Sequence, residues 1–363
     1  MGANDKIWDR IIKTRAGHIR YERKTARRIR RTFRSVRDEI LGYFNNQAND
    51  IVSTYSAARR RYLVDTIDGY LERGRHESSW EVYDAMTGTA RREAEETYDA
   101  FRSEIPSEIG LSFYAVPEDF LIAIADQPVM GNYTMGLVNY GDKWSRDAAT
   151  LLDKALMQSV VNGENVGQLA RRMALAVGVQ NYAMQAFART AIQTAAHRAQ
   201  MEFFRRNKEV IKGVQWVAIL DDACCDTCAG YDGRIFKRSE AVHQPVHVKC
   251  RCTYSAVTKS WKELGLKGDE APPWMRRTMD GEVPETMTFK DWIDKKMNSK
   301  TGRSWVRDWM GPGKFELFSN GLITLDDMAI RTRRKNRVRS LGDLRRIATR
   351  RRRKKEESLC LMN

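Results

Sequence analysis

Five of the six cysteines and two of the five histidines fall between Asp221 and Cys252. Cys225 and Cys228 form a C-x-x-C pair, His247 and Cys250 an H-x-x-C pair, and Cys252 follows two residues later. Soft thiolates and a borderline imidazole, arriving as two tight pairs joined by a loop, suit a tetrahedral Zn2+ site. Cys225, Cys228 and His247 are the expected ligands, with Cys250 or Cys252 as the fourth. C-R-C in an extended chain puts Cys250 and Cys252 on one side, so the spacing leaves that choice open. Cys224 is left out, because a C-x-x-C turn presents Cys225 together with Cys228. A site closed by four protein ligands is structural and stabilises a small sheet with little core of its own. Two other readings compete with it: hydrogen-bonded turns with metal-free thiols, and a redox C-x-x-C, around which no thioredoxin-like βαβ pattern stands. A catalytic zinc keeps an open position, and Asp221, Asp222 and His243 lie near enough in sequence to serve a nuclease-like enzyme. The four or five available ligands argue against that, so no catalytic residue is assigned.

These residues need a scaffold. Val214–Leu220 is β-branched and aromatic, short enough for a strand that runs into the cysteines. Asp232-Gly233 signals a turn, Arg234–Phe236 a returning strand, and Thr253–Val257 a strand leaving the second ligand pair. Upstream, Met184, Phe187, Ala188, Ala191, Ile192, Ala195, Ala199 and Phe203 recur at three- and four-residue steps, which predicts a long helix over 182–206 backing the sheet. Arg189 and Thr190 on it read as packing or hydrogen-bonding residues. A short helix over 166–176 and another over 144–161 precede it.

The first hundred residues carry helical periodicity through Ile7, Ile11, Ile29, Phe33, Val36 and Ile40. Further helices are expected over 51–70 and 80–101, with Gly69, Gly74 and Gly88 supplying turns. The arginines and lysines between 20 and 37 fit either a solvated helix face or a helix laid along phosphates. Residues 265–284 read as a loop or linker, Phe289–Ile293 as a helix start, and Trp305–Trp309 as part of a tryptophan-rich segment.

The net charge of +16 is uneven: residues 1–40 carry +8, residues 331–363 carry +11, and the body between them −3. Basic ends on a near-neutral body point to a polyanion, either nucleic acid or an acidic protein surface. The C-terminal candidates for sequence-nonspecific contact with double-stranded DNA are Arg331, Arg333, Arg334, Lys335, Arg337, Arg339, Arg345, Arg346, Arg350, Arg351, Arg352, Arg353, Lys354 and Lys355. With few apolar anchors, this tail is expected to be disordered on its own. No apolar run approaches the roughly 18 to 20 residues that cross a bilayer, and the first ten residues contain no signal-peptide core. The expected compartment is therefore a reducing cytoplasm, which disfavours disulfides.

The motifs together resemble the phage Mu F-like, SPP1-type minor head (head morphogenesis) protein family. The resemblance rests on Ala188-Arg189-Thr190, Val214-Gln215-Trp216, Asp222 through Cys228, Asp232-Gly233, and Pro245, His247, Cys250, Arg251 and Cys252. It extends over residues 140–330 through the later F-x-x-W, G-x-G-K and N-G-L-I-T-L-D-D motifs. Many relatives carry an acid after the Arg-Thr pair where Ala191 stands here. The family implies a low-copy virion component, in the head interior or at the portal vertex, which enters the procapsid in the host cytoplasm. Its implied partners are the portal protein, with major capsid or scaffolding protein as further candidates, and its implied roles include DNA packaging or ejection. The expected fold is α+β and predominantly helical. An N-terminal helical arm (1–140) leads to a head morphogenesis domain with a zinc-clipped sheet (141–330), and a basic tail (331–363) follows. The rival reading is a zinc-containing DNA-binding or DNA-processing enzyme.

Overall fold

A computed structural model describes residues 3–46, 57–104, 112–126, 137–162, 164–260, 263–264, 275–284, 286–331 and 336–360. Two long helices come first, α1 (Ala3–Asn46) and α2 (Ala57–Glu104). On α1 the buried positions Ile7, Ile11, His18, Glu22, Ile29, Phe33, Val36, Ile40 and Phe44 recur every three, four or seven residues, so one stripe faces inward. The turns expected at Gly69, Gly74 and Gly88 are absent, because all three glycines lie inside the single helix α2. A glycine costs a helix only about 1 kcal/mol against alanine. Here Leu63, Ile67, Leu71, Val82 and Met86, all buried, keep the helix continuous across them. Gly74 also serves the packing: a Cβ there would stand 2.8 Å from Val36 Cγ2 on α1.

After the short α3 (Glu118–Ala123) come α4 (Leu137–Val161) and α5 (Val166–Arg206). The two helices expected over 166–176 and 182–206 are one, because Gly178 does not interrupt α5. Its start is fixed by a capping box, in which Asn165 Oδ1 accepts from the Gln168 N–H and Gln168 Oε1 accepts from the Asn165 N–H. Ala188, Ala191, Ala195, Ala196 and Ala199 are fully buried, which lets α1 and α2 pack closely on α5. The Ala191 methyl fills an interior position, and no carboxylate stands at that point of the helix.

The expected sheet is present. Strands β1 (Ile211–Val217), β2 (Ile235–Phe236) and β3 (Thr253–Thr258) form an antiparallel sheet in the order β2-β1-β3, with Val214 opposite Phe236 and Trp216 opposite Tyr254. The one-turn helix α6 (Asp226–Tyr231) lies between β1 and β2 in sequence. Trp216 packs on Tyr231 and Tyr254 with ring centroids 4.9 and 5.4 Å apart, giving the sheet a small aromatic core.

Within the expected linker over 265–284, the described residues form a hairpin, β4 (Met275–Thr278) and β5 (Gly281–Pro284), turning through Gly281 at φ 121°. Helices α7 (Phe289–Met297), α8 (Lys300–Met310) and α9 (Pro312–Ser319) then bring Phe289, Trp292, Trp305 and Trp309 into one cluster. Strands β6 (Ala329–Arg331) and β7 (Asn336–Val338) pair before α10 (Leu341–Cys360).

The disorder expected of the tail is that of the segment on its own; here Leu341–Cys360 form α10. Within the whole chain, Leu344 and Ala348 bury one side of α10, and Arg351 reaches Asp327 and the Leu322 carbonyl. Composition counted the charges but not those two small anchors. Arg333, Arg334 and Lys335 lie outside the described residues. Among the described residues, no helix is long and apolar enough to cross a membrane.

Candidate metal centre

The residues between β1 and β3 fold back so that their soft donors meet. The ligand atoms of Cys225, Cys228 and His247 lie within 4.8 Å of one another, and so do those of Cys228, Cys250 and Cys252. Cys228 is common to both groups, and all five predicted ligands converge on it. The Cys228 Sγ stands 3.3 Å from His247 Nε2 and 3.7 Å from Cys250 Sγ. With metal–sulfur bonds of about 2.3 Å, the edge between two sulfurs of a tetrahedral zinc site is about 3.8 Å. The observed separations are therefore those of a metal-sized cluster, and the donors fit the group that their types predict.

Local structure explains the convergence. Cys225 caps α6 through its sulfur, which accepts from the Cys228 N–H at 3.5 Å, so a single turn aims both thiols the same way. In the second pair, the Cys250 N–H donates to the His247 carbonyl at 3.1 Å. Lys249 takes the left-handed conformation at φ 61°, and its N–H donates to Thr190 Oγ1 on α5 at 3.3 Å. Its ammonium donates to the Tyr182 hydroxyl at 2.8 Å and sits 4.4 Å from the centre of that ring. Arg189-Thr190 thus serves the knuckle through Thr190, as a hydrogen-bonding partner.

The cluster's own charges sort by these contacts. Hydrogen bonding to Cys228 pulls the Cys225 thiol down to about 5 against the effect of burial, and His247 adds to it. Contacts with Cys228 and Cys252 hold Cys250 well below the usual thiol range. Cys228 is pushed well up by its contacts with Cys225 and Cys250. Burial works against a charged His247, yet hydrogen bonds to Cys225 and Cys250 raise it to about 11. Two thiolates packed against thiols and an imidazolium, which must release its proton for the ring to act as a ligand, form a site with affinity for a soft cation.

Several further residues position the knuckle, and two of them, Arg15 and Trp309, carry no motif in the sequence. Arg15 on α1 donates from Nη2 to the Cys252 carbonyl at 2.5 Å, deep in the structure and 237 residues away in sequence. Trp309 Nε1 donates to the Cys224 carbonyl at 2.8 Å, and Lys314 pairs with Asp226. Asp232 accepts from the Ala218 and Phe289 N–H groups, both at 2.7 Å, and so joins the sheet to α7. Only the density of Trp and Lys after residue 289 hinted that this segment would meet the knuckle.

The residues that a catalytic zinc would recruit are arranged otherwise. Asp221 holds Arg251 with two hydrogen bonds of 2.7 Å, and Asp222 and His243 are exposed. The donor groups themselves contain only cysteine and histidine. Cys224 is buried and belongs to neither group.

On α10, Arg345, Arg350, Arg352 and Arg353 are exposed, whereas Arg346 pairs with Asp343 and Arg351 with Asp327. Arg339 donates to the Asp327 carbonyl at 3.1 Å, so part of the predicted DNA contact set is engaged inside the molecule. Arg331 and Arg337 lie on the paired strands β6 and β7.

The segment that carries this helix, sheet and knuckle also overlaps a match to a family model. Residues 150–255 match the family model described as Phage Mu protein F like protein. The match runs from α4 through β3 and includes every predicted metal ligand, which supports the phage head morphogenesis family for this part of the chain. No curated protein and no solved structure matches the chain.

Proposed function

We propose that the chain is a minor capsid protein of a tailed phage that acts in head morphogenesis and associates with the portal protein during procapsid assembly. The observation that carries this reading is the coincidence of the family match over 150–255 with the convergent donor cluster. Cys225, Cys228, His247 and Cys250 would hold Zn2+, which would crosslink the two halves of the knuckle. Cys250 is taken as the fourth ligand, its sulfur standing 3.7 Å from Cys228 Sγ, with Cys252, which shares the same donor group, as the alternative. Four soft protein donors fill the coordination shell, and Asp221 is committed to Arg251. Both features support a structural metal over a DNA-processing one. The helical arm, the head morphogenesis domain and the basic end keep the boundaries 1–140, 141–330 and 331–363. The exposed arginines of α10 meet packaged double-stranded DNA without sequence preference, inside the virion head near the portal vertex. Major capsid or scaffolding protein is the further assembly partner, and the DNA contact serves packaging or ejection.

Co-expression with the portal protein of the same phage tests the reading. The full chain is expected to co-purify with portal rings, and a chain that stays apart from both portal and procapsid contradicts it.

A further inference from the structure

We propose that the exposed face of α1 is a docking surface for the phosphate backbone of duplex DNA, separate from α10. Arg20, Lys24, Arg27, Arg31 and Arg34 are all exposed and follow one another at alternating steps of four and three residues. At about 100° and 1.5 Å per residue, they occupy an arc of about 80° over about 21 Å of helix. Along the axis of a duplex, which rises about 3.4 Å per phosphate of each strand, that length spans about six phosphates of each strand, of which a straight row meets those on the facing side. Arg23 and Arg30 widen the column on one flank. The acid of α1 between Arg20 and Arg37, Glu22, is buried and bonded to Gln193, so the column itself carries one sign of charge, and the neighbouring Glu81 of α2 pairs with Arg28 outside it.

The opposite face of α1 is locked by Ile29, Phe33 and Val36 against the other helices, so the cations are presented on a rigid support. Four of the five are arginines, whose planar fork suits phosphate oxygens. An acidic protein partner is less well matched. Protein interfaces centre on apolar anchors, and none of the exposed large hydrophobic residues lies on the described part of α1. The same observation argues against single strands, which bind through exposed aromatic platforms. A duplex backbone asks only for a straight row of cations.

The test uses the full chain and a short duplex of random sequence, with binding followed by fluorescence anisotropy over a range of NaCl concentrations. Substituting Arg20→Gln, Arg27→Gln, Arg31→Gln and Arg34→Gln together is expected to weaken binding and to flatten the log affinity against log salt slope by about 3 to 4. Lysine at the same four positions is expected to restore the slope, which a folding defect would not allow. A parallel α10 variant, Arg345→Gln with Arg350→Gln, Arg352→Gln and Arg353→Gln, reads the tail assignment separately. An unchanged slope in the α1 variant overturns the proposal, as does DNA binding lost only in the α10 variant. It is equally overturned if the α1 variant loses binding to polyglutamate while keeping duplex binding.

Discussion

In the knuckle, five donor side chains meet within a segment of 28 residues, around a sheet whose middle strand is seven residues long. In the helical layer, α1, α2 and α5 run for 44, 48 and 41 residues and bury Phe33, Phe44, Phe101, Phe203 and Phe204 against one another. The first region is ordered by a few directional bonds at one point, the second by apolar contacts spread along three helices. A single change should therefore collapse the knuckle as a unit, whereas the helical layer should lose stability in proportion to the surface removed. The layer is not uniformly apolar: a polar seam includes His18 bonded to Glu93 at 2.7 Å, and Glu22 bonded to Gln193.

The largest expected effect breaks the knuckle alone. Cys228→Ser removes the donor shared by both groups, and structural zinc sites supply folding energy outright. The near-ultraviolet circular dichroism of the aromatic sheet core is expected to disappear while the far-ultraviolet helix signal largely stays. Simultaneous loss of both signals would show that the two regions are not separable. Next comes Phe33→Ala, which hollows the helical layer and should cost about 3 to 5 kcal/mol in denaturant unfolding. Bound metal should remain at the wild-type level, and its loss would blur the contrast.

Arg15→Ala cuts the contact from α1 to the Cys252 carbonyl and leaves that buried acceptor without its partner. A cost of about 1 to 3 kcal/mol is expected, with metal retained. A variant as stable as the parent would show that the contact does not couple the regions.

The polar seam adds a pH dependence, read apart from these substitutions. Burial raises the Glu22 carboxyl from 4.5 to about 8, with Arg15, Arg189 and Arg251 opposing it. The folded chain therefore binds a proton that the unfolded chain releases between those values. The stability this contributes is full below about 4.5 and is lost as pH rises to 8. Melting temperature measured across this window should fall for the parent and stay flatter for Glu22→Gln. Parallel curves would assign the titration elsewhere.

The contrast also decides what could be read from the sequence. The convergent Cys/His donor cluster, the strand through Trp216, the Asp232-Gly233 turn and the strand at Thr253 were legible because each depends on residues a few positions apart. The glycines of α2 misled because their local cost is small beside tertiary burial that spacing does not report. The α10 helix was obscured by its own charge, since two buried side chains, Leu344 and Ala348, anchor it. Arg15, Trp309 and Lys314 reach the knuckle from 85 or more residues away, and no local pattern announces such contacts.

X-ray absorption at the zinc edge of the purified full-length protein tests the central claim most directly. About one zinc per chain is expected, with three sulfurs at about 2.3 Å and one nitrogen at about 2.0 to 2.1 Å. A folded protein that carries no zinc, or a zinc with oxygen ligands and an open position, would contradict it.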